Sequence, residues 1–260
     1  MKPARNIPRL LSAAALSAAL AAFTAPAVHA AAAADADADG SLTANLSVAS
    51  QYRYRGLMQT NNKPALQGGF DYSHPSGFYA GNWNSTISWL GDGNDAVSAP
   101  LEMDFYGGYK GKLGETLDLD VGVLQYYYPG DYPSGYTRPY TTELYAGLGA
   151  GPVTFKVSHS LTNLFGFARS RNSQYYDLSG NFDTGVWGLT LNLHAGYQYV
   201  RNVDHASYWD WKAGLTKDFG AGWSASLAYV DTNADRRAYT NADGRDMGRG
   251  TALASLTRTF

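Results

Sequence analysis

Residues 188–199 read Gly188-Leu189-Thr190-Leu191-Asn192-Leu193-His194-Ala195-Gly196-Tyr197-Gln198-Tyr199. From Leu189 to Tyr199 every second side chain is apolar or aromatic, and those between are polar or small. A period of two sends alternate residues to opposite faces of an extended chain, so this stretch is a strand with one apolar and one polar side. The pattern recurs on both sides of it. Leu42, Ala44, Leu46 and Val48 oppose Thr43, Asn45 and Ser47, while Met103 and Phe105 oppose Glu102 and Asp104. Leu117, Leu119, Val121 and Val123 oppose Asp118, Asp120 and Gly122. Val153, Phe155 and Val157 oppose Thr154 and Lys156, and Trp209, Trp211, Ala213 and Leu215 oppose Asp210, Lys212 and Gly214.

Marking each run predicts strands near 41–54, 65–73, 77–88, 101–110, 115–128, 139–149, 152–160, 174–183, 186–200, 207–219, 223–232 and 249–260. The links between them alternate in length. Short Gly- or Pro-bearing turns, such as His74 to Gly77, Gly111 to Gly114 and Gly220 to Gly222, take turns with longer links near 55–64, 89–100, 129–138, 161–173, 201–206 and 233–248. That asymmetry, with an even strand number, belongs to a transmembrane antiparallel up-and-down β-barrel whose short turns face the periplasm. The expected fold is therefore all-β, a barrel of about twelve strands over residues 41–260.

A soluble β-sandwich or lipocalin-like barrel would need charges on its solvent face. Here the face opposite Leu, Val and Ala is Gly, Ser, Thr, Asn and Tyr with selected carboxylates. Aromatic placement adds to the contrast. Trp187, Trp223, Phe219, Phe78 and Phe260 fall at short-turn ends, and Tyr52, Tyr54, Trp89, Tyr127, Tyr140, Tyr199 and Trp209 at long-loop ends, as two interfacial belts would require. The terminal Phe260, in phase with Ala252, Ala254 and Leu256, is the expected assembly signal, although Arg258 interrupts that face. Near an interface an outward Arg costs only about 0–1 kcal/mol.

The first thirty residues read as a signal peptide. Lys2, Arg5 and Arg9 precede an apolar run from Leu10 to Phe23, and Val28-His29-Ala30 offers a cleavage site. Residues 31–40 form a low-complexity leader in which Asp35, Asp37, Asp39 and Gly40 mimic half a calcium loop, but Leu46 stands where its Glu belongs. Asp231, Asn233 and Asp235 are a weaker match of the same kind. Removing residues 1–30 takes away three of the 20 Lys and Arg and none of the 22 Asp and Glu, leaving a formal charge of −5. An acidic chain lacks the basic stripe of a nucleic-acid binder. The absence of cysteine excludes disulfides and thiolate chemistry. Export to the bacterial outer membrane is the expected destination, with lipid, lipopolysaccharide and the outer-membrane assembly machinery as expected partners.

Several ordered segments carry a family resemblance: Tyr52-Arg53-Tyr54-Arg55-Gly56, Lys63 to Tyr72, Gly77-Phe78-Tyr79-Ala80-Gly81 and Glu102 to Tyr109. Tyr126-Tyr127-Tyr128-Pro129-Gly130, Glu143 to Gly147, Tyr208 to Lys212 and Tyr229 to Thr232 continue it along nearly the whole chain after the leader. In these segments the chain resembles the TorF family of proteobacterial outer-membrane porins. The resemblance implies an envelope channel and leaves its solute open.

Strand phase assigns Arg53, Arg55, Glu102, Asp104, Asp118, Asp120, Glu143, Lys156, Asp177, Asp210 and Lys212 to the lumen, with Tyr106, Tyr126, Tyr128 and Tyr145 beside them. Charges within strands face inward because lipid penalises them. Glu102 and Asp104 are expected to meet Asp118 and Asp120 near the short-turn end as an acidic cluster. The corresponding function is a porin-like channel for small hydrophilic solutes, cation-preferring through its carboxylates. The same charges could instead pair across the lumen and fill it, giving a non-conducting barrel that acts through external loops. An outer-membrane hydrolase is the remaining reading. No Gly-x-Ser-x-Gly elbow is present, and His159 and His194 lack a serine at triad spacing, so no catalytic, cofactor or metal site is assigned. Arg236, Arg237, Arg245 and Arg249 lie in loop 233–248 with Asp235, Asp243 and Asp246 or just beyond it, and read as a solvated charged segment or a contact for lipopolysaccharide phosphates.

Overall fold

A computed structural model describes residues 40–260. The expected signal peptide and all of the leader but Gly40 lie outside the described residues. From there β1 (Ser41–Ala49) is followed by the short β2 (Arg53–Tyr54) and β3 (Leu57–Met58), then β4 (Ala65–Ser73) and β5 (Phe78–Thr86). One helical turn, α1 (Trp89–Gly93), precedes β6 (Leu101–Leu113), β7 (Leu117–Tyr127), β8 (Thr141–Ala150) and β9 (Val153–Ser160). The chain continues through β10 (Gln174–Asp183), β11 (Leu189–Tyr199), β12 (Tyr208–Gly220), β13 (Trp223–Thr232) and β14 (Thr251–Thr259).

Twelve of these strands form one closed antiparallel barrel. From β4 onward each is bonded to the next in sequence, and β1 closes the ring between β14 and β4. The transmembrane up-and-down barrel expected from the alternation is the observed fold. Its wall keeps the two faces apart: on β11, Asn192, His194 and Gln198 are buried inside, while Leu193, Ala195 and Tyr199 are exposed outside. Every wall strand has two neighbours, so no backbone edge is left for hydrocarbon to strand. The outward band of Leu46, Val48, Leu144, Leu178, Leu193, Leu215 and Leu256 is what lipid would cover.

Two aromatic belts are only partly outside. Phe78, Trp187, Phe219, Trp223 and Phe260 are exposed at the short-turn end, as are Tyr127, Tyr199 and Trp209 at the long-loop end. Tyr52, Tyr54 and Trp89 correct the expectation: the first two are buried inside the barrel, and Trp89 starts α1 and packs edge-on to Tyr128 at 5.7 Å. Arg258 does point outward, its guanidinium 5.5 Å from the Trp223 ring and 5.3 Å from the Phe260 ring, so aromatic faces shelter its charge at the interface.

The first expected run, 41–54, is divided. Wall pairing ends at Ala49, and residues 50–64 turn into the barrel mouth, where β2 and β3 pair as a small separate hairpin. Arg55 and Gly56 make its turn with φ of 46° and 78°. The alternation of Tyr52 and Tyr54 with Arg53 and Arg55 mimics a continuing wall strand, which is why periodicity alone extends β1 too far.

Candidate functional site

The lumen has two unlike halves. Toward the long-loop end, the inserted hairpin, α1 and residues of loop 161–173 bring Tyr52, Tyr54, Leu90, Val97 and Phe165 against wall residues Leu124, Tyr126 and Tyr145 in a packed cluster. Tyr54, Tyr126 and Phe165 meet edge to face, with ring centroids 5.1–5.6 Å apart. Toward the short turns the inward side chains meet solvent: Lys112 and Asp118 form an exposed ion pair at 2.5 Å, and Asp120 and Lys156 are partly exposed.

Buried charges in the packed half have specific partners. Arg55, carried inward by the hairpin, donates to Glu143 Oε2 at 2.7 Å and to Gln198 Oε1 at 2.7 Å. Its guanidinium also lies 4.2 Å from the Tyr175 ring centre and 4.9 Å from that of Tyr54. Tyr54 and Tyr126 share a hydroxyl bond of 2.5 Å. On the facing wall His194 bridges Asp177, 3.0 Å from Nδ1, and Asp210, 2.8 Å from Nε2, while the Tyr175 hydroxyl donates to Asp210 Oδ2 at 2.9 Å. Lys212 is buried beside this group, opposite His194 in the β11–β12 register. A carboxylate removed from water needs such bonds, and here tyrosine, histidine and arginine supply them.

Asp104 is the exception. It is fully buried, and neither side-chain oxygen accepts a hydrogen bond. Its neighbour Glu102 accepts from the Tyr52 hydroxyl at 2.7 Å and from Tyr128.

The cluster expected among Glu102, Asp104, Asp118 and Asp120 does not form. The β6–β7 register pairs Asp104 with Tyr126 and Lys112 with Asp118, so Glu102 and Asp104 lie near the long-loop end while Asp118 and Asp120 lie near the short turn. An antiparallel hairpin brings together residues equidistant from its turn, which places these two carboxylate pairs at opposite ends of the strands. Arg53 and Arg55 are inside the barrel but on the inserted hairpin rather than on the wall.

Other lumen residues were not singled out by phase. Asp71 accepts from the Tyr106 hydroxyl at 2.5 Å, and Asp120 accepts from the Tyr79 hydroxyl at 2.6 Å. Tyr79 also bonds Tyr145. Lys110 lies 5.1 Å from the Tyr79 ring centre. Lys110 and Lys112 share the phase of Glu102 and Asp104, so the inward position of Lys110 was readable within the expected run 101–110, and that of Lys112 once β6 is carried past residue 110. Among the described residues no group of His, Asp and Glu is arranged to hold a metal ion.

Comparison with solved structures sets this architecture beside known barrels. The KdgM porin superposes with a TM-score of 0.51 at 7% identity, over 84% of this chain and 99% of that one. The NanC porin does so with a TM-score of 0.51 at 12% identity, over 85% and 99% of the respective chains. At such identities the likeness concerns the fold. No curated protein sequence matches the chain. Residues 33–260 match the family described as "Bacterial protein of unknown function (Gcw_chp)", and with all of the barrel-forming sequence covered, the chain belongs to that family.

Proposed function

We propose that this protein is an outer-membrane channel for passive diffusion of small hydrophilic solutes, exported by its N-terminal segment and inserted through the assembly signal at Phe260. The observation that carries the reading is a closed wall, apolar outside and polar inside, whose inner half is lined by solvent-exposed charge around Lys112, Asp118, Asp120 and Lys156. A barrel built only as a scaffold has no need of a hydrated interior. The TorF porin resemblance supports the same assignment.

The finer part of the proposal is a cation preference. It rests on the inward carboxylates that meet solvent, Asp71, Asp118 and Asp120. Fixed negative charge in a narrow passage attracts cations and repels anions. Folded protein in planar bilayers should give discrete conductance steps and a cation-selective reversal potential under a salt gradient. Asp118→Asn with Asp120→Asn should move that potential toward zero. Folded protein that never conducts would sink the channel and favour the second reading, a plugged barrel acting through its external loops, which the packing of Tyr52, Tyr54 and Phe165 supports.

A further inference from the structure

At the long-loop end, outside the packed cluster, the segment from Gln51 to Asn62 and the loop before β14 enclose a cavity of about 940 Å³ that opens to solvent. That volume lies within the range of about 300–1,000 Å³ typical of small-molecule sites. Four arginines line it, Arg53, Arg236, Arg245 and Arg249, against one carboxylate, Asp246. Two segments distant in sequence are needed to build it. Gln51 donates to Thr251 Oγ1 at 3.0 Å, Arg245 to Asn61 Oδ1 at 3.1 Å and Asn61 to Asp243 Oδ2 at 3.2 Å.

The charge of this cavity is not cancelled from within. Asp246 lies 3.9 Å from Arg236, and its Oδ1 already accepts from the Gly248 amide at 2.9 Å. Among the described residues no carboxylate lies within ion-pair distance of Arg53, Arg245 or Arg249. Arg53 is the most telling of the three. Only 3% exposed, it donates to three neutral oxygens: Gln51 Oε1 at 3.0 Å, the Met247 carbonyl at 2.8 Å and Asn62 Oδ1 at 2.8 Å. Burial lowers its pKa to about 10, with Asp246 acting weakly in the opposite direction. A desolvated guanidinium held by neutral acceptors keeps an unbalanced positive field, and two exposed guanidiniums on the same wall add to it.

We propose that this cavity is an anion-binding site for molecules carrying phosphate or carboxylate groups. Arg245 and Arg249 engage the anion directly by charge-assisted bonds, and Arg53 holds the two walls and supplies field from beneath. The site lies at the loop end of the barrel and stands whether or not the lumen conducts. Its chemistry suits two sources, a free multivalent anion or the phosphates of a lipid headgroup, and binding measurements tell them apart.

Folded protein in neutral detergent is titrated calorimetrically with inorganic pyrophosphate. In parallel it is incubated with nanodiscs containing bisphosphorylated lipid A, or lipid A stripped of both phosphates. Arg245→Ala/Arg249→Ala should weaken binding roughly tenfold or more, because both guanidiniums that bond the anion directly are lost. Arg237→Ala, which removes a guanidinium paired with Asp235 outside the cavity, should change nothing. Arg249→Gln replaces the double variant if the latter loses its heat-modifiable gel migration. Pyrophosphate binding that depends on these arginines supports the site with a free-anion source. Arginine-dependent binding of phosphorylated lipid A alone supports it with a headgroup source. Failure of wild-type protein to bind either probe, or equal binding by wild type and variants, overturns the proposal.

Discussion

Arg55 shows how much a single side chain decides in this lumen. Its guanidinium, bonded to Glu143 and Gln198 and stacked near Tyr54 and Tyr175, ties the inserted hairpin to β8, β10 and β11 at once. Removing one member of a buried ion pair leaves the other charge stranded. Arg55→Met alone, or Glu143→Leu alone, should therefore cost about 3–5 kcal/mol, whereas the double variant should recover most of that loss. Urea unfolding in lipid or detergent, followed by tryptophan fluorescence, measures it, and additive losses would show that the two residues act separately. The sequence marks both as inward charges, because a charge in an alternating run has few other places to go. It does not show that they meet, since Arg55 reaches Glu143 only after the chain leaves the wall, and a period of two holds no record of that departure. The separation of Glu102 and Asp104 from Asp118 and Asp120 follows once the turn is set at residues 114–116 rather than at Gly111 to Gly114, because equal distance from that turn pairs Asp104 with Tyr126. Asp104's lack of any bond was not legible, because it depends on what the loops bring in above it.

Among the elements, the hairpin of β2 and β3 fills much of the long-loop half of the lumen. Its turn at Gly56 presses against the wall so closely that an added Cβ would stand 2.2 Å from Thr232 Cγ2 and 2.9 Å from Asp210 Cβ, at a φ of 78° that disfavours any side chain. Gly56→Val should push the hairpin away from β12 and β13 and raise single-channel conductance several-fold, while heat-modifiable migration stays unchanged. Conductance equal to wild type would mean that the hairpin does not limit passage. The wall strands were legible almost throughout because lipid outside and water inside impose opposite chemistries on adjacent residues. The loops that fold inward were not, because the alternation at Tyr52 imitates a wall strand and Leu90 and Phe165 carry no period, and all three are placed by contacts with residues far away in sequence.

For the molecule as a whole, closure depends on the terminal strands. β1 and β14 pair through only five residues each, Asn45–Ala49 against Ser255–Thr259, whereas β6 and β7 pair through eleven. Phe260 extends the short seam, its amide donating to the Ala44 carbonyl at 2.8 Å while its own carbonyl accepts from Ala44 at 3.3 Å. Deleting Phe260 should lower the fraction of folded barrel recovered from membranes, scored as the heat-modifiable band, and leave the stability of already folded protein less affected. An undiminished folded fraction would remove Phe260 from the assembly step. The short seam also makes the barrel mechanically uneven. Every other boundary is a longer ladder between wall strands that follow one another along the chain, so a steady pull on the C-terminus would break the β1–β14 contact first and then peel the wall away one hairpin at a time. The join that makes the cylinder continuous is thus the place where it would tear under load.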